Sequence, residues 1–425
     1  MFSSIKSFNL KPIRLFSFLI ITCLSAAGIA AQNLPPAKPL RQETLLNGLR
    51  TAIFPGKDGK VYLKLRINAG AAFDLQGKEG TMAILAGTFF PNPGAADFFR
   101  EDLGGSLEIS TTYDFIQITA SSRPEEFLTL IESIANAVAN PTIDKPTVET
   151  LKKAQIERIA NLEKNPSYAG EQYALARLFG NFPYGRPVSG SIQSVEKLEF
   201  ADIIDARQRF LTADKASLAI SGSVDANLAL RAVRRYFGAW TKADRQIPVT
   251  FRQPDAPSAE VQTIDGDVSG FWMALRGVAR GNADHAAAEI LSVILAGRIS
   301  KNLPSGTKPP VVFNRAFILP GAIVIGIPDG NSADDRELIR SLLSNPISQA
   351  ELDQAKTLAA SGFQTIGIDD IWLDSSTYNF KGLVNPAASI AAVSLSEVSS
   401  LASRLAAERI AAVRFVKNPK TSEVK

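Results

Sequence analysis

Of the 425 residues, one is histidine, His285, and one is cysteine, Cys23. Catalytic zinc takes three protein ligands in which imidazole usually predominates, so this chain cannot offer two histidines to one ion. A lone cysteine also excludes an internal disulfide framework. Gly-x-Ser-x-Gly elbows, Walker loops and dinucleotide-binding glycine fingerprints are missing as well. No metal and no cofactor is therefore expected. His285, in Asn282-Ala283-Asp284-His285-Ala286, falls in the first turn of a predicted helix and reads as a structural imidazole.

What is present begins with a leader. Lys6, Lys11 and Arg14 are followed by an apolar run from Leu15 to Leu24 and by small residues from Ser25 to Ala31, the order of a secretory signal. A mitochondrial presequence shares the acid-poor character, but the compact apolar block favours export to the periplasm. Cys23 lies inside that block, after Thr22, and reads as one of its residues rather than a lipid attachment point. Cleavage near Ala31 removes three of 46 basic residues and leaves 43 against 42 acidic ones. The mature chain then has no electrostatic footprint for nucleic acid. No later stretch reaches the roughly 18 apolar residues of a transmembrane helix.

After the linker Leu34-Pro35-Pro36-Ala37-Lys38-Pro39, Asn47-Gly48 sits between β-formers and predicts a hairpin with a type I′ turn. Val61 to Ile67 alternates as a strand. Helices are predicted near 78–91 and 94–103, then a strand pair over 106–120. Phe127, Leu130, Ile131, Ile134, Ala135 and Val138 form the apolar stripe of a helix over 124–140. Further helices are predicted from about Lys145 to Lys164, Tyr168 to Leu178, Val195 to Phe210 and Leu228 to Phe237, with a strand over 217–220. Arg231, Arg234 and Arg235 read as a solvated face.

The Pro-bearing stretch 247–257 is the expected linker, beyond which the order recurs. Strands are predicted near 260–276, a helix from Asn282 or Asp284 to about Leu295, and strands near 311–327. Helices then follow near 333–343, 347–366, 370–382 and 395–407, with a last strand near 409–416. Segments 40–246 and 258–418 thus carry two similar programmes, a duplicated α+β architecture. Trp240, Trp272 and Trp372 are expected in the core or at its rim.

Several short motifs recur in an order and spacing that cover nearly the whole mature chain. They are Leu46-Asn47-Gly48-Leu49, Asp102-Leu103-Gly104-Gly105, Asn140-Pro141, Phe182-Pro183-Tyr184-Gly185-Arg186-Pro187 with Gly190, and Ile220-Ser221-Gly222-Ser223-Val224-Asp225. In these the chain resembles the M16, pitrilysin-like peptidases and their relatives among mitochondrial processing peptidases and complex III core subunits. The resemblance implies two homologous domains, each an antiparallel-rich sheet packed with helices. It also implies an inverted zinc motif, His-x-x-Glu-His, on the helix after the second strand. Here Ala83, Ala86 and Gly87 stand at the ligand and base positions, and none can bind zinc or take a proton from its water. The family's third ligand falls near Glu157 or Arg158, where Glu149, Glu157 and Glu163 are spaced as a solvated helix face. The family's carbonyl-polarising Arg and Tyr correspond to Lys308 and Phe313. Lys is no equivalent fork, and Phe cannot donate a hydrogen bond.

Substrates of the family add as extended peptides to an edge strand, and Leu107, Glu108 and Ile109 occupy that place. Such a chain forms half of a clamshell in the family, so the resemblance implies a zinc-bearing homologue as partner. The leading expectation is an inactive subunit that helps form a peptidase chamber. A structural assembly subunit and a stand-alone periplasmic peptide-binding protein are the alternatives.

Overall fold

The computed structural model describes residues 41–244, 251, 254, 256–266, 269–328 and 335–417. The expected leader with Cys23, the proline-rich linker and most of the stretch 247–257 lie outside those residues.

The first half builds a six-stranded sheet from β1 (Arg41–Thr44), β2 (Arg50–Pro55), β3 (Val61–Ile67), β4 (Ser106–Thr111), β5 (Ile116–Ser122) and β6 (Ala216–Gly222). Its helices are α1 (Thr81–Gly87), α2 (Ala95–Glu101), α3 (Phe127–Ala139), α4 (Lys145–Glu163), α5 (Pro166–Phe179), α6 (Ile192–Glu196), α7 (Phe200–Phe210) and α8 (Ala226–Phe237). The second half has β7 (Val261–Gly266), β8 (Gly270–Arg276), β9 (Val311–Arg315), β10 (Ala322–Pro328) and β11 (Ala411–Lys417). Around them lie α9 (His285–Asn302), α10 (Arg336–Ser344), α11 (Gln349–Ser361), α12 (Ile368–Tyr378), α13 (Pro386–Ala392) and α14 (Leu395–Ala406).

The expected duplication is visible in the topology. The first sheet runs β1-β2-β6-β3-β5-β4 and the second β7-β11-β8-β10-β9. In both, one parallel pair, β2 with β6 or β7 with β11, precedes a run of antiparallel neighbours. By position α9 repeats α1, and α12 repeats α5.

These last two helices are exchanged. α5, from the first half, lies across β8, β10 and β11 of the second sheet, while α12 lies across β2 and β6 of the first. The covered faces carry small residues, Ala52 and Ala219 under Trp372, and Ala274, Ala322 and Ala411 beside α5. A methyl-sized surface lets a helix axis approach closely and bury a large ring against it. All three tryptophans are buried, as expected. The opposite face of each sheet packs on helices of its own half, giving two further apolar clusters.

Two local expectations change. The turn between β1 and β2 is not type I′: Gly48 has φ +89°, whereas Asn47 stays in the ordinary region. Gly48 donates to the Leu45 carbonyl at 2.8 Å, and Asn47 Nδ2 donates to the carbonyls of Phe237 (2.8 Å) and Trp240 (3.0 Å). Tertiary bonds to the α8 terminus thus select the longer loop, in which only Gly takes the left-handed position. The helix predicted from Val195 to Phe210 is two, α6 and α7. Lysines satisfy carbonyls at the break: Lys78 Nζ bonds Lys197 O at 2.7 Å, and Lys152 Nζ bonds Leu198 O at 2.6 Å. The short helix α13 was not expected, although Asn385 caps it and Pro386 opens it.

Candidate functional site

α1 is short, and both its ends are specified. Gly80, at φ +97°, enters it with Ser189 O so near that a Cβ would come within 2.9 Å. The buried carboxylate of Asp74 accepts from Gly80 N (2.8 Å) and Met82 N (2.9 Å), supplying acceptors for donors that a helix start leaves unpaired. Burial pushes the Asp74 carboxyl up to about 7, against the opposing pull of those two N–H groups and of Arg186. At the other end Thr88 Oγ1 donates to Leu85 O at 2.6 Å.

Ala83 and Gly87 lie one turn apart on the part-exposed side of α1, and Ala86 is buried in the core. The facing residue on α4 is Leu151. A Cβ placed on Gly87 would stand 3.2 Å from Leu151 Cδ2, so an isobutyl group fills the space beside Gly87. Glu157 and Arg158 are both exposed, and Glu157 is six residues further along α4, about 9 Å by helical rise. Among the described residues no group of three His, Cys, Asp or Glu side chains could hold a metal ion. Methyl groups and a glycine can neither ligate an ion nor accept a proton.

β4 packs beside α1 and α2 and forms the outer edge of the first sheet. It pairs only with β5 among the described residues, with Glu108 opposite Thr119. Leu107 and Ile109 turn toward the core, and Glu108 is exposed. The structure therefore brings α1, with Ala83, Ala86 and Gly87, and the candidate edge together. Lys308 and Phe313 belong to the second sheet, the first in the exposed loop before β9 and the second on β9. The guanidinium of Arg315 sits 4.3 Å from the centre of the Phe313 ring and pairs with Glu171 at 2.6 Å. Two-residue alternation on a strand was the signal that could have named Arg315.

The motif around Tyr184 braces the halves. Tyr184 Oη contacts Asp114 Oδ1 at 3.4 Å and accepts from Leu319 N at 3.2 Å, while Asp114 Oδ2 accepts from Ile318 N at 3.1 Å. Tyr378, at the end of α12, reaches the same carboxylate at 3.4 Å. Burial pushes Asp114 up to about 6.

Residues 56–191 match the family profile described as insulinase (peptidase family M16), and residues 197–358 match the one described as the peptidase M16 inactive domain. The chain belongs to peptidase family M16. The boundary between the profiles precedes β6, a strand of the first sheet, so the second profile begins inside the first half. An uncharacterized zinc protease of Mycobacterium tuberculosis is 27% identical over 220 residues, 50% of this chain and 50% of that protein. The chain spans about half the length of such curated relatives. Its fold is similar to that of a peptidase M16 inactive domain from Pseudomonas fluorescens, with TM-score 0.77, 17% identity and coverage of 89% of this chain and 98% of that one. It is also similar to the periplasmic protease PqqL of Escherichia coli, with TM-score 0.70, 15% identity and coverage of 92% and 49%. No helix among the described residues is long and apolar enough to cross a membrane.

Proposed function

We propose that the chain is an exported, catalytically inactive M16 homologue that supplies the non-zinc half of a two-subunit peptidase chamber. One observation carries the reading: Ala83, Ala86 and Gly87 occupy α1 with Leu151 packed against it, while the neighbouring edge strand β4 pairs only with β5 among the described residues. An edge of this kind captures extended peptides through backbone bonds and needs no metal. The chain then contributes walls and peptide binding, and a zinc-bearing homologue contributes the chemistry. The leader, and the likeness to a protein described as periplasmic, support an exported location. We assign domains 40–246 and 258–418, joined by 247–257, a division that the two separate sheets support.

Affinity purification from the native source tests this. The expected result is stoichiometric recovery of an M16 homologue that carries His-x-x-Glu-His. Repeated recovery of the chain alone would overturn it, and recovery within a larger assembly devoid of peptidase would favour the scaffold alternative.

A further inference from the structure

The register of β4 decides which of its groups an added peptide strand meets. The turn that joins it to β5 is closed by Thr112 N, which donates to Phe115 O at 2.9 Å. Bonded and non-bonded pairs alternate along an antiparallel ladder. Counting from that closing pair, Ser110 with Gln117, Glu108 with Thr119 and Ser106 with Ser121 fall at bonded positions. Their backbone groups turn toward β5. The N–H and C=O groups of Leu107 and Ile109 therefore point to the free edge.

A strand added antiparallel there bonds to Leu107 and Ile109 and places one residue opposite Glu108 in a non-bonded pair. In such a pair Cα atoms approach to about 4.5 Å and side chains lie closest. Glu108 shares its face of the strand with Ser106 and Ser110, all three exposed, and it has no hydrogen-bond or ion-pair partner among the described residues. In the same cross-strand row Thr119 separates it from Lys64, two strand spacings or about 10 Å away. The Lys64 ammonium is itself held by Asp369 at 3.1 Å and Asp370 at 2.7 Å. On the other face Leu107 and Ile109 pack against the apolar core.

We propose that this edge selects extended peptides that carry lysine or arginine opposite Glu108, with apolar residues on either side of that position. The inference rests on peptide capture at β4. An acidic residue opposite Glu108 sets like charge against like, which destabilises a cross-strand pair. A charge present only to block edge-to-edge pairing would instead disfavour every added strand.

Short end-capped peptides of alternating leucine and serine, with one central serine replaced by lysine, glutamine or glutamate, provide the test by fluorescence polarisation on the full chain at low salt. The lysine peptide is expected to bind about three- to tenfold more tightly than the glutamate peptide, with glutamine between them. Glu108→Lys should reverse that order and Glu108→Gln should abolish it. Equal affinity for the three peptides, or an order that Glu108→Lys leaves unchanged, would overturn the inference while peptide capture stands. If none of the peptides binds, or if N-methylation along one edge of the lysine peptide leaves its affinity unchanged, capture at β4 fails and the inference falls with it.

Discussion

Gly170 of α5 lies flat against the indole of Trp272 on β8, so close that a Cβ on the glycine would stand 2.3 Å from Trp272 Cδ2. Gly326 of β10 meets the same ring, where a Cβ would stand 2.3 Å from Cζ3. The indole is thus held between two positions without a side chain, and it fixes the exchanged helix on the second sheet. In an ordinary helix interior Gly→Ala stabilises by about 1 kcal/mol. Here Gly170→Ala is expected to destabilise by about 1–3 kcal/mol through overpacking, measured by urea unfolding. Stabilisation would mean that α5 does not seat on Trp272.

The counterpart contact, α12 on the first sheet, adds ion pairs to the apolar packing of Trp372. Lys64 pairs with Asp369 (3.1 Å) and Asp370 (2.7 Å), and Asp374 bridges Arg66 and Arg280. The Arg66 side chain is 5% exposed and its guanidinium also lies 4.0 Å from the centre of the Phe115 ring. Asp374→Ala leaves two guanidinium groups facing each other and is expected to cost about 3–5 kcal/mol. Adding Arg66→Met should recover part of that loss. Equilibrium unfolding of the single and double variants checks the coupling.

Stability should respond to acid through His285. Its folded value near 4 lies below the unfolded value of 6.5, so the unfolded chain binds the proton first as pH falls. The contribution is present above about pH 6.5 and is lost progressively toward pH 4, on the order of 3 kcal/mol. Asp74 and Asp114 act with the opposite sign. Their folded values, about 7 and about 6, exceed the unfolded 3.8, so the stability they contribute is present below pH 3.8 and lost as pH rises toward 7. Subtracting the pH–stability curve of a His285→Gln variant from that of the wild type should isolate the first contribution, and that of Asp74→Asn the second. A His285 titration near 6.5 by NMR would contradict its buried, neutral setting.

Replacing the three motif positions does not rebuild the catalyst. In Ala83→His, Ala86→Glu, Gly87→His, the new side chain at 87 enters the space of Leu151, and Glu157 stands exposed about 9 Å further along α4. Substoichiometric zinc and a stability loss of about 1–3 kcal/mol are expected. Adding Leu151→Ala should restore stability without restoring peptidase activity. Zinc content and unfolding midpoints are the readouts.

The sequence was legible where local chemistry decides structure. Alternation from Val61 to Ile67 marks β3 to the residue, and the stripe from Phe127 to Val138 marks α3. His285 does lie in the first turn of its helix, which Asp284 precedes, and the duplicated strand order appears in both sheets. The misses were tertiary. Nothing local states that α5 and α12 cross to the opposite sheets, that Lys78 and Lys152 take the carbonyls between α6 and α7, or that Asn47 is bound by the end of α8. At the candidate site Ala83, Ala86 and Gly87 were readable as residue types. Leu151, which packs on that helix, was not, because only packing reveals which turn of α4 faces α1.

Zinc quantification on the purified chain, after dialysis against a weak chelator, bears most directly on the central claim. Residues without metal-binding groups at Ala83 and Gly87, with Leu151 in the adjoining space, predict far less than one zinc per chain and no peptide hydrolysis by the chain alone. One tightly held zinc per chain would contradict it.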